Sequence, residues 1–105
     1  MITQRAINKI SEKIAKKYKP EKIYLFGSFV WGKPNFDSDV DFFIIKKTKK
    51  KKFDRQLQVR KIVSGELPVD ILVYNQEEIG ERLSLGDLFL KKILNHGKLI
   101  YDAAL

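Results

Sequence analysis

Residues 27–41 read Gly27-Ser28-Phe29-Val30-Trp31-Gly32-Lys33-Pro34-Asn35-Phe36-Asp37-Ser38-Asp39-Val40-Asp41, directly after the apolar run Ile23–Phe26. The order is a strand, a Gly-Ser turn, a loop, and an Asp-x-Asp pair that opens a second strand. Side chains alternate across a strand, so Asp39 and Asp41 are expected on one face, about 6–7 Å apart. A third carboxylate, Asp70, interrupts another apolar run, Val69–Val73. If the two strands are neighbours, Asp70 joins the pair.

Each residue type suits one piece of phosphate chemistry. Carboxylates this far apart can share two divalent ions. Oxygen-only ligands favour Mg²⁺, with Mn²⁺ as a substitute, over zinc, and the chain has no Cys. Gly27 lacks a Cβ, so backbone can approach a triphosphate closely. Ser28 offers a hydroxyl and an N–H at the expected start of a short helix. Lys33 is a further cation for phosphate. The competing explanation is a surface turn in which Asp37, Ser38 and Asp39 bend the chain. It accounts for Asp37 and Ser38. It leaves Asp41 and Asp70 unexplained, because each sits inside an apolar strand where an unpaired carboxylate is costly.

The pattern Gly27-Ser28-x10-Asp39-x-Asp41, followed by Asp70 in Pro-Val-Asp-Ile-Leu-Val, resembles the DNA polymerase β-like nucleotidyltransferase superfamily, and in particular its smallest branch, the minimal nucleotidyltransferases. The resemblance runs from about Lys22 to Tyr101. It implies that Ser28 contacts the terminal phosphates of a nucleotide. It implies that Asp39 and Asp41 bind two Mg²⁺ ions, and that Asp70 completes the site that activates an acceptor hydroxyl. ATP would be the substrate. The branch is often encoded beside a helical HEPN-domain toxin, to which it is the antitoxin, and some members transfer AMP to a partner tyrosine. Trp31 stands where the family often has a basic residue, and is read here as a loop anchor. Two other functions follow from the same residues: an antitoxin that neutralises its partner by binding alone, and an RNA-associated protein.

The 105 residues suffice for one domain, 1–105, near the small end for a self-sufficient core. Hydrophobic residues make up 44% and aromatics 11%, which argues for a folded globule. No apolar run approaches the ~18–20 residues of a membrane span. The start, Met-Ile-Thr-Gln-Arg-Ala, has no secretory apolar region, so a cytoplasmic location is expected.

The expected fold is α+β (α/β), a small mixed sheet of about four strands flanked by helices. Thr3 caps a helix to about Tyr18, ended by Pro20. Strands follow at Lys22–Phe26, Val40–Ile45 and Val69–Val73, with a last one at Lys98–Tyr101. Phe53, Leu57, Val59, Ile62 and Val63 suggest an amphipathic helix over 53–63. Residues 76–95 read as helix, broken near Gly80 and Gly86. His96 suits a helix C-terminus.

The formal net charge is +8, and Lys46, Lys47, Lys49, Lys50, Lys51 and Lys52 fall in one loop. Arg55, Arg60 and Lys61 follow; with no aromatic interleaved, attraction of a protein partner or of triphosphate ranks ahead of RNA, and a solvated loop that guards the sheet edge is the plain alternative. The apolar set Leu83, Leu85, Leu88, Phe89, Leu90, Ile93 and Leu94 exceeds what one helix buries in a small domain. Core and an interface with a partner or second copy, in a homo- or hetero-oligomer, are both open for it.

Overall fold

The structure is a computed structural model, and it describes residues 2–35, 37–65 and 67–105. The elements run α1 (Gln4–Tyr18), β1 (Lys22–Phe26), α2 (Ser28–Trp31), β2 (Val40–Ile45), α3 (Lys52–Val63), β3 (Val69–Tyr74), α4 (Gln76–Ser84), α5 (Leu88–His96) and β4 (Lys98–Asp102). The strands form one mixed sheet in the order β3-β2-β1-β4. β1 is antiparallel to both β2 and β4, and β2 is parallel to β3. The parallel pair needs a long crossover, which α3 supplies.

Alternation within the strands divides the core in two. Ile23, Leu25, Val40, Phe42, Ile44, Val69, Ile71 and Val73 pack with α1 and α3. Phe26, Phe43 and Ile45 pack with Ile79 of α4 and with Leu90 and Ile93 of α5. β2 is apolar on both faces because it lies inside the sheet, and Asp41 is its one charged residue.

Local signals explain most boundaries. Thr3 accepts the Ala6 N–H and starts α1. Lys19, left-handed at φ 54°, ends it one residue before Pro20. A capping box between Asn75 and Glu78 opens α4. Asp87 accepts the Leu90 N–H and opens α5.

Three expectations need correction. The break between α4 and α5 falls at Gly86, with φ 81°, while Gly80 lies inside α4. A glycine breaks a helix where positive φ is needed and is merely tolerated elsewhere. The buried face of α3 is Arg55, Val59 and Val63, not the stripe containing Phe53 and Leu57. Phe53 is 73% exposed and Arg55 only 4%. Arg55 wins the interior position because it satisfies its donors there. It bonds the carbonyls of Lys50 and Val73 and the carboxylate of Glu78. Finally, the apolar set of 83–94 divides. Leu90 and Ile93 are core, whereas Leu83, Leu85, Leu88 and Phe89 stay exposed. Among the described residues, no helix is long and apolar enough to cross a membrane.

Candidate active site

One end of the sheet gathers the Gly-Ser turn and the carboxylates. The C-terminus of β1 and the N-termini of β2 and β3 all lie there, because β2 runs against β1 and β3 runs with β2. Asp41 is paired in register with Phe26 on one side and with Asp70 on the other. Register neighbours point to the same face, so the Asp41 and Asp70 side chains stand together, on the face opposite α1 and α3. The register therefore sets two carboxyl groups side by side, with that of Asp41 partly buried.

The Asp41 carboxyl is pushed up to about 6, first by burial, then by the charge of Asp70 and the hydrogen bond with it, then by the charge of Asp39. Asp39 therefore lies within electrostatic reach, although it stands one residue outside β2 in the loop before it. Asp39 and Asp70 also line one shallow depression of ≈ 440 Å³, with Arg60, Ser64, Gly65 and Pro68. Among the described residues, no three acidic or imidazole groups converge on one point closely enough to hold an ion. What the fold builds is an in-register pair with a third acid nearby. All the donors are hard oxygens, and crowded carboxylates are relieved by a divalent cation. The residues present fit such an ion.

Gly27 has φ 79°, the left-handed region that favours glycine. A Cβ at this position would overlap Asp41 Oδ2. The turn and the carboxylate are thus in contact only because this residue has no side chain. Ser28 is the first residue of α2, as expected. Val30 and Trp31 both donate their N–H groups back to the Gly27 carbonyl, which tightens the turn. In the following loop Asn35 closes the bend, accepting the Asp37 N–H, while Ser38 Oγ accepts the Asn35 N–H. Lys33 is exposed in that loop, and among the described residues no ion pair joins it to the carboxylates. Phe36 and Glu66 lie outside the described residues.

Trp31 is an anchor. Its Nε1 donates to the carbonyl of His96 at 3.0 Å, its ring packs near Phe26, and Lys92 Nζ lies 4.2 Å above it. The expected role of His96 shifts from its imidazole to this carbonyl. Sequence reading counts Arg60 only among the basic residues after the lysine run; among the described residues it is the cation that lines the depression with Asp39 and Asp70.

Residues 8–104 match the family model described as polymerase beta, nucleotidyltransferase. The chain belongs to the polymerase β nucleotidyltransferase family. Its fold is that of other solved members. A nucleotidyltransferase candidate from Sulfolobus solfataricus superimposes with a TM-score of 0.66 at 23% identity, over 95% of this chain and 80% of that one. A toxin–antitoxin complex, MntA–HpeT, crystallised as a double Asp-to-Glu mutant, matches with a TM-score of 0.58 at 17% identity, over 90% of this chain and 72% of that one. No protein of curated function matches the chain in sequence. In this nucleotidyltransferase the family's mixed sheet thus delivers the Gly-Ser turn and the aspartates to one end.

Proposed function

We propose that this nucleotidyltransferase transfers AMP from ATP to a tyrosine hydroxyl of a HEPN-type toxin encoded beside it, and so acts as the antitoxin of that pair. The observation that carries the reading is the in-register pair Asp41–Asp70 against the Cβ-free Gly27. Likeness to a toxin–antitoxin complex supports the biological setting. The exposed apolar elbow between α4 and α5, with Leu85 73% and Leu88 78% exposed, supports a protein partner. In this reading the partner supplies the acceptor hydroxyl.

In this reading Asp39, Asp41 and Asp70 hold two Mg²⁺ ions, with Mn²⁺ able to replace them. Bound there, the ions stabilise charge on the triphosphate and acidify the acceptor hydroxyl. Gly27 lets the backbone approach the phosphates, and Ser28 donates its hydroxyl and N–H to them. Lys33 adds positive charge from the loop. The acceptor oxygen forms a bond to the α-phosphorus, the bond to pyrophosphate breaks, and the hydroxyl proton leaves to solvent. The three aspartates need only hold and orient, since phosphoryl-type transfer depends chiefly on positioning and charge neutralisation.

The test is label transfer from α-labelled ATP to the product of the adjacent gene, with Mg²⁺. The expected result is labelled partner, lost with Asp41→Asn while its fold persists. Equal labelling by Asp41→Asn sinks the catalytic assignment. A tight complex without label supports an antitoxin that acts by binding.

A further inference from the structure

The end of the sheet opposite the carboxylates has a different chemistry. The C-termini of β2 and β3 and the N-terminus of β1 meet there, beside the end of α1 and the start of α3. The lysine run 46–52 crosses this end, and its members do different things. Lys46 donates to the carbonyls of Tyr18 and Lys19, and so fastens the loop to the last turn of α1. Lys52 covers the ring of Tyr74. Lys47, Lys49, Lys50 and Lys51, by contrast, are exposed, and none of their ammonium groups has a partner among the described residues.

This loop is built. Buried Arg55 donates to the Lys50 carbonyl at 2.6 Å, and Asn75 donates to the Thr48 carbonyl at 3.3 Å. Lys50 N–H turns back to Thr48 Oγ1. The interior of α3 and the cap of α4 therefore fix where the four lysines are displayed. Lys47 and Lys49 line an open cavity of ≈ 850 Å³, together with Arg55 and Asn75. Joined to them through Lys46 is the end of α1, with Lys16, Lys17 and Lys19 exposed. Among the described residues the acids at this end are Glu21 and Glu77 on the cavity rim, Asp54 in the first turn of α3, Glu78 paired with Arg55, and Asp102 in register with Lys22.

Phe53 adds a second observation. It follows the lysine run directly, and it is 73% exposed. With Leu57 one turn on, it forms an apolar strip on the face of α3 opposite Arg55, Val59 and Val63. Lysines that follow a phosphate backbone, next to an exposed aromatic ring on which a base can stack, make a single-strand binding surface. Protein interfaces instead deplete lysine from their core. A duplex has no unpaired base to offer Phe53, and the polynucleotide that cells keep largely unpaired is RNA.

We propose that Lys47, Lys49, Lys50, Lys51 and Phe53 form a docking surface for single-stranded RNA, at the end of the molecule opposite the carboxylates. The surface is independent of nucleotidyl transfer. It would hold an RNA-bound complex in place without occupying the active site.

The test is fluorescence anisotropy of the whole chain with a labelled unstructured RNA of about 12 nucleotides, between about 50 and 200 mM salt. Lys49→Gln/Lys50→Gln is compared with Arg5→Gln/Lys9→Gln, which removes the same charge from the other end of α1. The expected result is binding at low salt that the loop pair weakens at least tenfold, with the salt slope reduced by about 1.4 for two lost phosphate contacts. The α1 pair changes it far less. Phe53→Ala weakens binding about fivefold or more and leaves the slope unchanged. All these positions are exposed, and unchanged thermal melts verify folding. The proposal is overturned by absence of binding at the lowest salt, or by equal loss in the two charge pairs. It is also overturned if polyglutamate or duplex RNA competes as well as the single strand and Phe53→Ala has no effect. That last outcome would make the surface a generic polyanion or acidic-protein contact.

Discussion

Asp41 concentrates the chemistry of this molecule in one side chain. It is the single charge in a strand otherwise buried on both faces, and its neighbours are Asp70 across the ladder and Gly27 across the turn. Burial and two nearby negative charges raise its carboxyl to about 6 in the folded state. In the unfolded chain it would titrate near the ordinary 3.8. The folded state therefore binds more protons than the unfolded state between those values. Stability of the metal-free protein should fall as pH rises through that window, and level off above it. Asp41→Asn removes the titrating group. It should stabilise the metal-free protein more at neutral pH than near pH 4, as read by urea midpoints at the two pH values. Saturating Mg²⁺ with ATP should cancel the wild-type deficit at neutral pH. A gain from Asp41→Asn that is the same at both pH values would show that the carboxylates do not strain one another.

At the scale of elements, α3 shows how far the sequence could be read. Its bounds were visible to within one residue, since the lysine run precedes it and Gly65 follows it. Its orientation was not visible. Five apolar residues between Phe53 and Val63 can be arranged as a stripe in more than one way. The choice was made by Arg55, which reaches Glu78 in α4, the Val73 carbonyl of β3 and the nearby Lys50 carbonyl. Tertiary pairing of a charged residue is not a periodic signal. The strands were legible for the opposite reason. Short apolar runs, each bounded by turn residues or charge, fix both place and face, and the acids at Asp41 and Asp70 betrayed themselves by breaking that rule. Their adjacency depended on β2 and β3 being parallel neighbours, which only the assembled sheet reveals. The Arg55–Glu78 pair, at 2.6 Å, with Arg55 almost wholly buried, also yields a prediction. Arg55→Ala should lower the unfolding free energy by about 2–3 kcal/mol, because it takes a donor from two carbonyls and from the Glu78 carboxylate, which keeps the Asn75 N–H. Denaturant unfolding measures this, and a loss below about 1 kcal/mol would mean that these bonds contribute little.

At the scale of the whole molecule, the two ends of the sheet carry opposite charge. One end holds Asp39, Asp41 and Asp70, and the other the exposed lysines of the β2–α3 loop and of the end of α1. Much of the positive charge therefore lies on the surface remote from the carboxylates, while Arg60 stands beside Asp39 and Asp70. That separation would let the proposed cation site and the proposed polyanion surface coexist on one small chain without mutual cancellation, since screening weakens interactions beyond roughly 8–10 Å. The central claim is that the aspartates on β2 and β3 are a divalent-ion and nucleotide site. It is tested most directly by titrating Mn²⁺ into the protein with and without ATP, and counting bound ions by electron paramagnetic resonance. The account predicts ATP-enhanced Mn²⁺ binding in the wild type, lost in Asp41→Asn and in Asp70→Asn. Undiminished Mn²⁺ and ATP binding in Asp41→Asn would contradict it.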